Sequence, residues 1–218
     1  ILNLYKKFTM RKAFVPLISL LLFISCNHIE GSGNIVTEKR NTGDFKGVSA
    51  GGAFEVELSN GPLSVEVEAD DNIIKYISTE VDNGVLEIKT RNNTGMNNAH
   101  LKIFITAPEI KLLKSHGAAN ITAKDLLKSN GKISFESSGA ANIDAEVDAP
   151  EVEAESTGAS KIELKGRTRD YSAKASGSAD IKSGSLLTER TDAKASGASS
   201  IHVHASVNLV AEASGSAS

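Results

Sequence analysis

The chain has no tryptophan, and its aromatic residues amount to only 5% of 218 positions. Proteins that bind single-stranded nucleic acid stack bases on aromatic side chains, so this scarcity disfavours that function. The charge balance also disfavours it, because 27 acidic residues outnumber 24 basic ones. Nucleic-acid binding depends on Lys and Arg contacts to phosphates. We therefore predict no nucleic-acid partner.

Cysteine is almost absent as well, since Cys26 is the only one and leaves nothing for an intramolecular disulfide. It follows the apolar run 13–24, which is too short to span a bilayer. Basic residues precede this run, as is typical of a signal peptide. We predict a signal peptide over residues 1–25, with Met10 as the preferred start. Residues 1–25 carry four basic and no acidic residues, so their removal takes the net charge from −3 to −7.

The end of this run, Leu-Phe-Ile-Ser-Cys at 22–26, resembles the lipobox of bacterial lipoproteins. The resemblance implies cleavage before Cys26 and the addition of lipid to its thiol and new amine. More than one acyl chain gives firm anchoring, so the implied partner is a membrane. The alternative is a secreted protein with an ordinary signal and one unmodified thiol. Residues 27–42 are polar and rich in glycine, which predicts that 26–42 form a short lipidated tether.

The second half of the chain repeats one short phrase of small residues around a glycine. The glycines are Gly117, Gly139, Gly158, Gly177, Gly197 and Gly215, with steps of 22, 19, 19, 20 and 18 residues. A repeat of about twenty residues is typical of a solenoid. The sixth copy stops one residue before its isoleucine. We therefore expect the natural reading frame to continue past Ser218.

Each copy of the phrase alternates with period two, which indicates strands rather than helices. Apolar or small residues stand four and two positions before each glycine. Between them stands a charged residue, in turn Lys114, Glu136, Glu155, Lys174, Lys194 and Glu212. An isoleucine opens the next strand at Ile121, Ile143, Ile162, Ile181 and Ile201. Parallel stacking would place these isoleucines in one buried column and the glycines at a tight corner.

The predicted fold is all-β: a single-chain, right-handed parallel β-solenoid, or β-helix, with about 20 residues per coil. It would occupy residues 43–218. Residues 109–218 carry the repeats, and the bulkier strands of 43–108 would close one end of the stack. The dipeptides Asn60-Gly61 and Asn83-Gly84 predict turns. Residues 71–77 are the one place where a helical turn is expected.

A family resemblance rests on the order of several weak motifs along residues 43–218. Residues 52–56 read Gly-Ala-Phe-Glu-Val, 83–88 read Asn-Gly-Val-Leu-Glu-Ile, and 107–112 read Ala-Pro-Glu-Ile-Lys-Leu, followed by the Gly-Ala-Ala-Asn-Ile repeats. This order resembles the family called putative auto-transporter adhesin, head GIN domain, which is common in lipoproteins of Bacteroidetes. The resemblance implies an all-β solenoid at the cell envelope and supplies no catalytic residues.

The search for reactive groups yields no catalytic, cofactor-binding or metal site. His202 and His204 lie two apart, but structural zinc requires four ligands, so we interpret them as surface residues. The acids at 70, 71 and 144 do not recur in register, which disfavours a calcium-binding repeat. No nucleophile elbow or phosphate-binding loop is present. The six charged residues before the glycines form either a solvated face or a recognition face.

These observations predict a non-catalytic lipoprotein of the cell envelope, anchored through Cys26 in the outer membrane and facing either the periplasm or the surface. It would act as an adhesin whose polar face binds a glycan, a matrix component or another envelope protein. One alternative is a carbohydrate-active β-helix enzyme of the polysaccharide lyase type, which three or more carboxylates converging beside a Lys or Arg would favour. The other alternative is a structural spacer.

Overall fold

The computed structural model describes residues 28–218. Cys26 and the predicted signal peptide lie outside the described residues, so both stay predictions. The described part contains eighteen strands and two short 3-10 helices, Ile74–Tyr76 and Arg91–Asn93. The first helix falls within residues 71–77, where a helical turn was expected. None of the described helices has the length and apolar character needed to cross a membrane.

The strands are β1 (His28–Glu30), β2 (Ile35–Arg40), β3 (Gly47–Gly52), β4 (Glu55–Asn60), β5 (Ser64–Asp70), β6 (Ile77–Asp82), β7 (Val85–Thr90), β8 (Gly95–Asn97), β9 (Leu101–Ala107), β10 (Leu112–Gly117), β11 (Asn120–Ala123), β12 (Leu127–Lys128), β13 (Lys132–Gly139), β14 (Asn142–Gly158), β15 (Lys161–Gly177), β16 (Asp180–Gly197), β17 (Ser200–Val203) and β18 (Asn208–Gly215).

The strands form three parallel stacks, and each coil from β11 to β16 contributes to all three. The first stack runs β9, β4, β11, the starts of β14, β15 and β16, and then β17. The second contains β12 and the middle of the three long strands. The third runs β7, β3, β10, β13, the ends of the long strands and β18. This confirms the parallel β-solenoid with coils of about 20 residues.

The predicted isoleucine column fills the core beside the first stack. Ile121, Ile143, Ile162 and Ile181 pair in register, and each is at most 1% exposed. Ile201 continues the column at its end and is partly buried. The column therefore removes one branched side chain per coil from water, which is the main driving force for stacking.

The N-terminal end of the stack is closed by antiparallel strands. β2 pairs with β5, β5 pairs with β9, and β6 pairs with β7, all antiparallel. The predicted turn at Asn83-Gly84 connects the β6–β7 hairpin, and both of its residues have positive φ. Asn60-Gly61 lies at the end of β4, but it does not form a hairpin, because β4 does not pair with β5. β9 lies between β4 and β5, parallel to one and antiparallel to the other.

Residues 28–40 differ from the tether expected over 26–42. β1 pairs with β8, and β2 continues the sheet alongside β5. The polar composition of this segment suggested a solvated linker, yet a strand at a sheet edge is also half exposed and polar. The backbone pairing, which composition does not reveal, places these residues on the solenoid.

Candidate binding groove

Two rows of outward side chains follow the axis of the solenoid along the third stack. We call the first the charged row: Lys114, Glu136, Glu155, Lys174, Lys194 and Glu212. The strand register places each member beside the next, as the sequence predicted. We call the second the hydroxyl row: Ser138, Thr157, Ser176, Ser196 and Ser214, with His116 preceding it. Its members also pair in register between consecutive coils from Ser138 onward.

The two rows line a continuous groove. A cavity of about 490 Å³ extends over the later coils, between Glu155 and Ser214. A second cavity of about 230 Å³ extends over the earlier coils, from Lys114 to Thr157. Both are bordered by Glu155 and Thr157, so one surface depression passes along the stacked coils. The short side chains of the hydroxyl row keep one wall low and leave the strands accessible.

The glycine column forms the edge of this groove and turns the chain sharply. Its six glycines have φ between +75° and +82°, the left-handed region in which side chains are disfavoured. The residue after each glycine donates its N–H to the carbonyl of the glycine one coil earlier, at 2.7 Å in every coil from Ala118 to Ser216. These repeated bonds give every coil the same corner, which keeps both rows straight.

Buried hydroxyls fix the corner from the inside. Ser115, Ser137 and Ser156 each donate to the carbonyl four residues later, at 2.8, 3.1 and 3.2 Å. A later coil has Ala175 at the equivalent place, and there Ser199 donates to the Ala175 carbonyl at 3.2 Å. Buried carbonyls at a tight turn need such partners, because leaving them unpaired is costly.

The charged row is paired at its two ends and unpaired in its centre. Lys114 and Glu136 form an ion pair at 2.9 Å, and Lys194 and Glu212 form one at 3.4 Å. Glu155 and Lys174 stand in register but form no ion pair with any residue among 28–218. The centre of the groove therefore offers one carboxylate and one ammonium group that a bound molecule can engage.

Outside the two rows, several charges on the surface neutralise each other. Arg167 binds Asp148 with two bonds of 3.0 and 2.6 Å, and its guanidinium holds the pKa of that carboxyl below its usual value. Arg190 contacts Asp170 at 2.5 Å and lowers the pKa of that carboxyl in the same way. Surface pairs of this kind contribute little to stability, but they occupy groups that would otherwise bind a ligand.

The hydroxyl row was missed in the sequence analysis, although a signal for it is present. Every copy of the phrase from the second onward places Ser or Thr directly before its glycine. A small residue beside a glycine is explained by the turn alone, so the sequence pattern does not single this position out. Only the stacking of coils shows that these hydroxyls form a row beside the charged one.

The two histidines predicted to be surface residues do not converge on a common point. His202 is exposed, and its Nδ1 lies 4.0 Å from Asp180 Oδ1. His204 is partly buried, and its carbonyl accepts hydrogen bonds from Thr188 and Thr191. Within residues 28–218 no group of three or more His, Cys, Asp or Glu side chains is arranged to hold a metal ion.

The carboxylates of the groove do not form the cluster that would favour a lyase. Glu136 and Glu155 are neighbours, but Glu212 is three coils beyond Glu155, or about 14 Å at the spacing of stacked strands. Glu136 is also held by Lys114. The groove thus has a regular repeat, and its carboxylates form no convergent acid–base set.

Comparisons with known proteins agree with this architecture. A family model described as putative auto-transporter adhesin, head GIN domain, matches residues 44–218. The chain belongs to this family. Among curated proteins, no sequence matches it. The head GIN domain family therefore confirms the resemblance that the order of the sequence motifs indicated.

Solved structures share the fold of this head GIN domain. A putative adhesin from Bacteroides fragilis NCTC 9343 is 17% identical, with a TM-score of 0.75 over 85% of this chain and 98% of that one. A putative lipid binding protein from Parabacteroides distasonis ATCC 8503 is 19% identical, with a TM-score of 0.71 over 88% and 98%. A putative adhesin from Parabacteroides merdae ATCC 43184 is 16% identical, with a TM-score of 0.68 over 88% and 98%.

Proposed function

We propose that this protein is a non-catalytic adhesin of the cell envelope, anchored by lipid at Cys26, whose groove binds an extended ligand. The ligand is a glycan, a matrix component or another envelope protein. The observation that carries the proposal is the groove itself, where a charged row and a hydroxyl row run side by side over five coils. The family to which the chain belongs supports an adhesive role.

The regularity of the groove suits a linear ligand. Stacked coils repeat at about 4.8 Å, so the hydroxyls and charges recur at that interval. A polymer with repeating polar groups can make the same hydrogen bond on successive coils, and weak contacts then add up along its length. The central Glu155 and Lys174 add charge-assisted hydrogen bonds, which are stronger than neutral ones.

The binding proposal is tested on an array of glycans and matrix proteins with the soluble chain from His28 onward. Ser176→Tyr places a large ring in the groove and should reduce binding at least tenfold. The control Asp144→Tyr places the same ring on an exposed position of the first stack and should leave binding unchanged. Absence of binding to any arrayed molecule would favour the spacer, and depolymerisation of a bound glycan would favour the enzyme.

The anchor is tested separately by metabolic labelling with palmitate. Cys26→Ser removes the thiol to which the lipid would attach, so labelling of the chain should be lost. Ser25→Ala, one residue earlier, retains the thiol and should keep the label. Unchanged labelling of Cys26→Ser would contradict the lipid anchor while leaving the groove proposal intact.

A further inference from the structure

Residues 28–34 are bound to one corner of the first coil. The Glu30 carbonyl accepts a hydrogen bond from Asn72 Nδ2 at 2.8 Å, and Gly31 N donates to the Asn97 carbonyl at 3.0 Å. Ser32 Oγ donates to Asp71 at 2.6 Å, and Asn34 Nδ2 donates to the other oxygen of Asp71 at 2.8 Å. This segment is therefore part of the folded domain.

Asp70 is the central group of these contacts. Its side chain is buried, with 1% exposure. One oxygen accepts from Gly33 N at 2.6 Å and the other from His100 N at 2.8 Å. These hydrogen bonds, with that from His100 first, lower the pKa of the carboxyl despite its burial. Asp70 thus joins the N-terminal segment to the start of β9.

The same corner carries three exposed basic side chains. Ile77 pairs with Thr90, so the two 3-10 helices that precede β6 and follow β7 lie next to each other. They expose Lys75 and Arg91, with Lys89 two residues away. None of the three forms an ion pair with another residue of 28–218. Lys75 Nζ lies over the ring of Tyr76, 5.2 Å from its centroid.

The acids of the corner, by contrast, accept hydrogen bonds from groups of the corner itself. We call residues 28–34, 70–76 and 89–98 the N-terminal corner.

The distance from this corner to the predicted lipid is short. Only Asn27 separates Cys26 from His28. Two residue steps of fully extended chain span at most about 7 Å. A lipid on Cys26 would therefore hold the N-terminal corner at the headgroups rather than at the end of a sixteen-residue tether.

We propose that the N-terminal corner is the membrane-facing surface of the protein and contacts anionic phospholipid headgroups through Lys75, Lys89 and Arg91. This inference rests on the proposed lipid anchor at Cys26. It orients the molecule, because the corner belongs to the first coil and β18 to the last. Six strand spacings of about 4.8 Å separate β3 from β18, or about 29 Å. The groove then leads away from the bilayer, with Glu212 at its distal end.

The orientation is tested by energy transfer on the acylated full-length chain in phosphatidylethanolamine–phosphatidylglycerol vesicles with an acceptor dye on the headgroups. A donor dye is attached at Asn97→Cys in the corner or at Ser214→Cys in the last coil, both exposed positions. Acylation blocks Cys26, so each chain carries one reactive thiol. Transfer should be at least threefold more efficient from 97 than from 214.

Two variants distinguish the effect of the short connection to Cys26 from the effect of the three basic side chains. A twelve-residue Gly/Ser insertion between Asn27 and His28 should lower transfer from position 97, because the short connection no longer holds the corner. In that inserted chain, replacing Lys75, Lys89 and Arg91 by Glu should lower transfer further, whereas Lys128→Glu, on the second stack, should not. Equal effects of the two replacements would overturn the headgroup contact.

The outcomes also distinguish this inference from the proposed function. Mass spectrometry of the N-terminal peptide reports whether Cys26 is acylated. An unmodified Cys26 would overturn the anchor and the orientation together. An acylated chain with equal or greater transfer from position 214 would overturn the orientation alone, and the array result for the groove would stand in either case.

Discussion

Gly158 lies so close to Gly139 in the preceding coil that a Cβ at 158 would be 2.9 Å from the Gly139 carbonyl oxygen. Side-chain carbons essentially never approach backbone oxygens so closely. Gly158 also has φ of +81°, which L-residues adopt only at a cost. Glycine is therefore required in this column for two reasons, the left-handed backbone conformation and the close spacing of the coils.

Replacing a glycine of this column should destabilise the solenoid strongly. For Gly158→Ala we expect the free energy of unfolding to fall by about 2 to 5 kcal/mol, from the left-handed conformation and the steric clash together. Urea denaturation measures this. The control Gly184→Ala has nothing within 4 Å of the added carbon and should change stability by less than about 0.5 kcal/mol. Similar values for both variants would contradict the close approach.

The isoleucine column predicts a large cost for a cavity in its centre. Ile162 is fully buried between Ile143 and Ile181, so Ile162→Ala should lower the free energy of unfolding by about 2 to 5 kcal/mol. Leu187 is 57% exposed, and Leu187→Ala should cost much less. Thermal unfolding of both variants compares them directly. A Leu187→Ala effect as large as that of Ile162→Ala would contradict the buried column.

The charged row should contribute little to folding. A double-mutant cycle on Lys114→Ala and Glu136→Ala should give a coupling energy of about 0.2 to 1 kcal/mol, because both groups are largely solvated. The coupling should decrease as salt is added, since exposed pairs are screened. A coupling above about 2 kcal/mol that is insensitive to salt would show that the row is structural. A weak coupling would show that folding does not depend on the row.

Asp70 predicts an acid-sensitive attachment of the N-terminal segment. Its pKa is lowered in the folded protein, so its stabilising effect is complete above the ordinary value of about 3.9 and is lost as the pH falls through the lower folded value. Asp70→Asn should be less stable by about 1 to 3 kcal/mol at pH 7, because hydrogen bonds to a charged group are strong. This difference should shrink towards pH 2.

Hydrogen exchange locates the Asp70 effect. In Asp70→Asn the amides of residues 31–40 should exchange faster, while those of β14 and β15 keep their protection. The control Glu146→Gln changes an exposed carboxyl with no hydrogen bond to residues 28–218. It should alter neither the exchange of these amides nor the dependence of stability on pH between 7 and 2. A stability difference that stays constant between pH 7 and pH 2 would contradict the role of the ionised carboxyl.

The repeating half of the fold could be predicted because its information is local and is repeated in every coil. Period-two alternation indicates the strands, and one glycine per twenty residues indicates the corner. Stacking identical phrases leaves one register in which Ile143 meets Ile162 and Glu155 meets Lys174. The charged row followed from the same register. The hydroxyl row was equally available, but its residues had a simpler explanation as parts of a turn.

By itself, then, the sequence determined the solenoid, its buried column and the order of charges along its face. The coils stack in chain order, so residues that are one repeat apart in the sequence become neighbours in space. Tertiary structure alone decided the N-terminal end. There β9 enters between β4 and β5, and Asp70 reaches back 37 residues to Gly33. Such pairings join segments that share no repeat, so their partners are selected by the free energy of the closed coil and not by any local pattern.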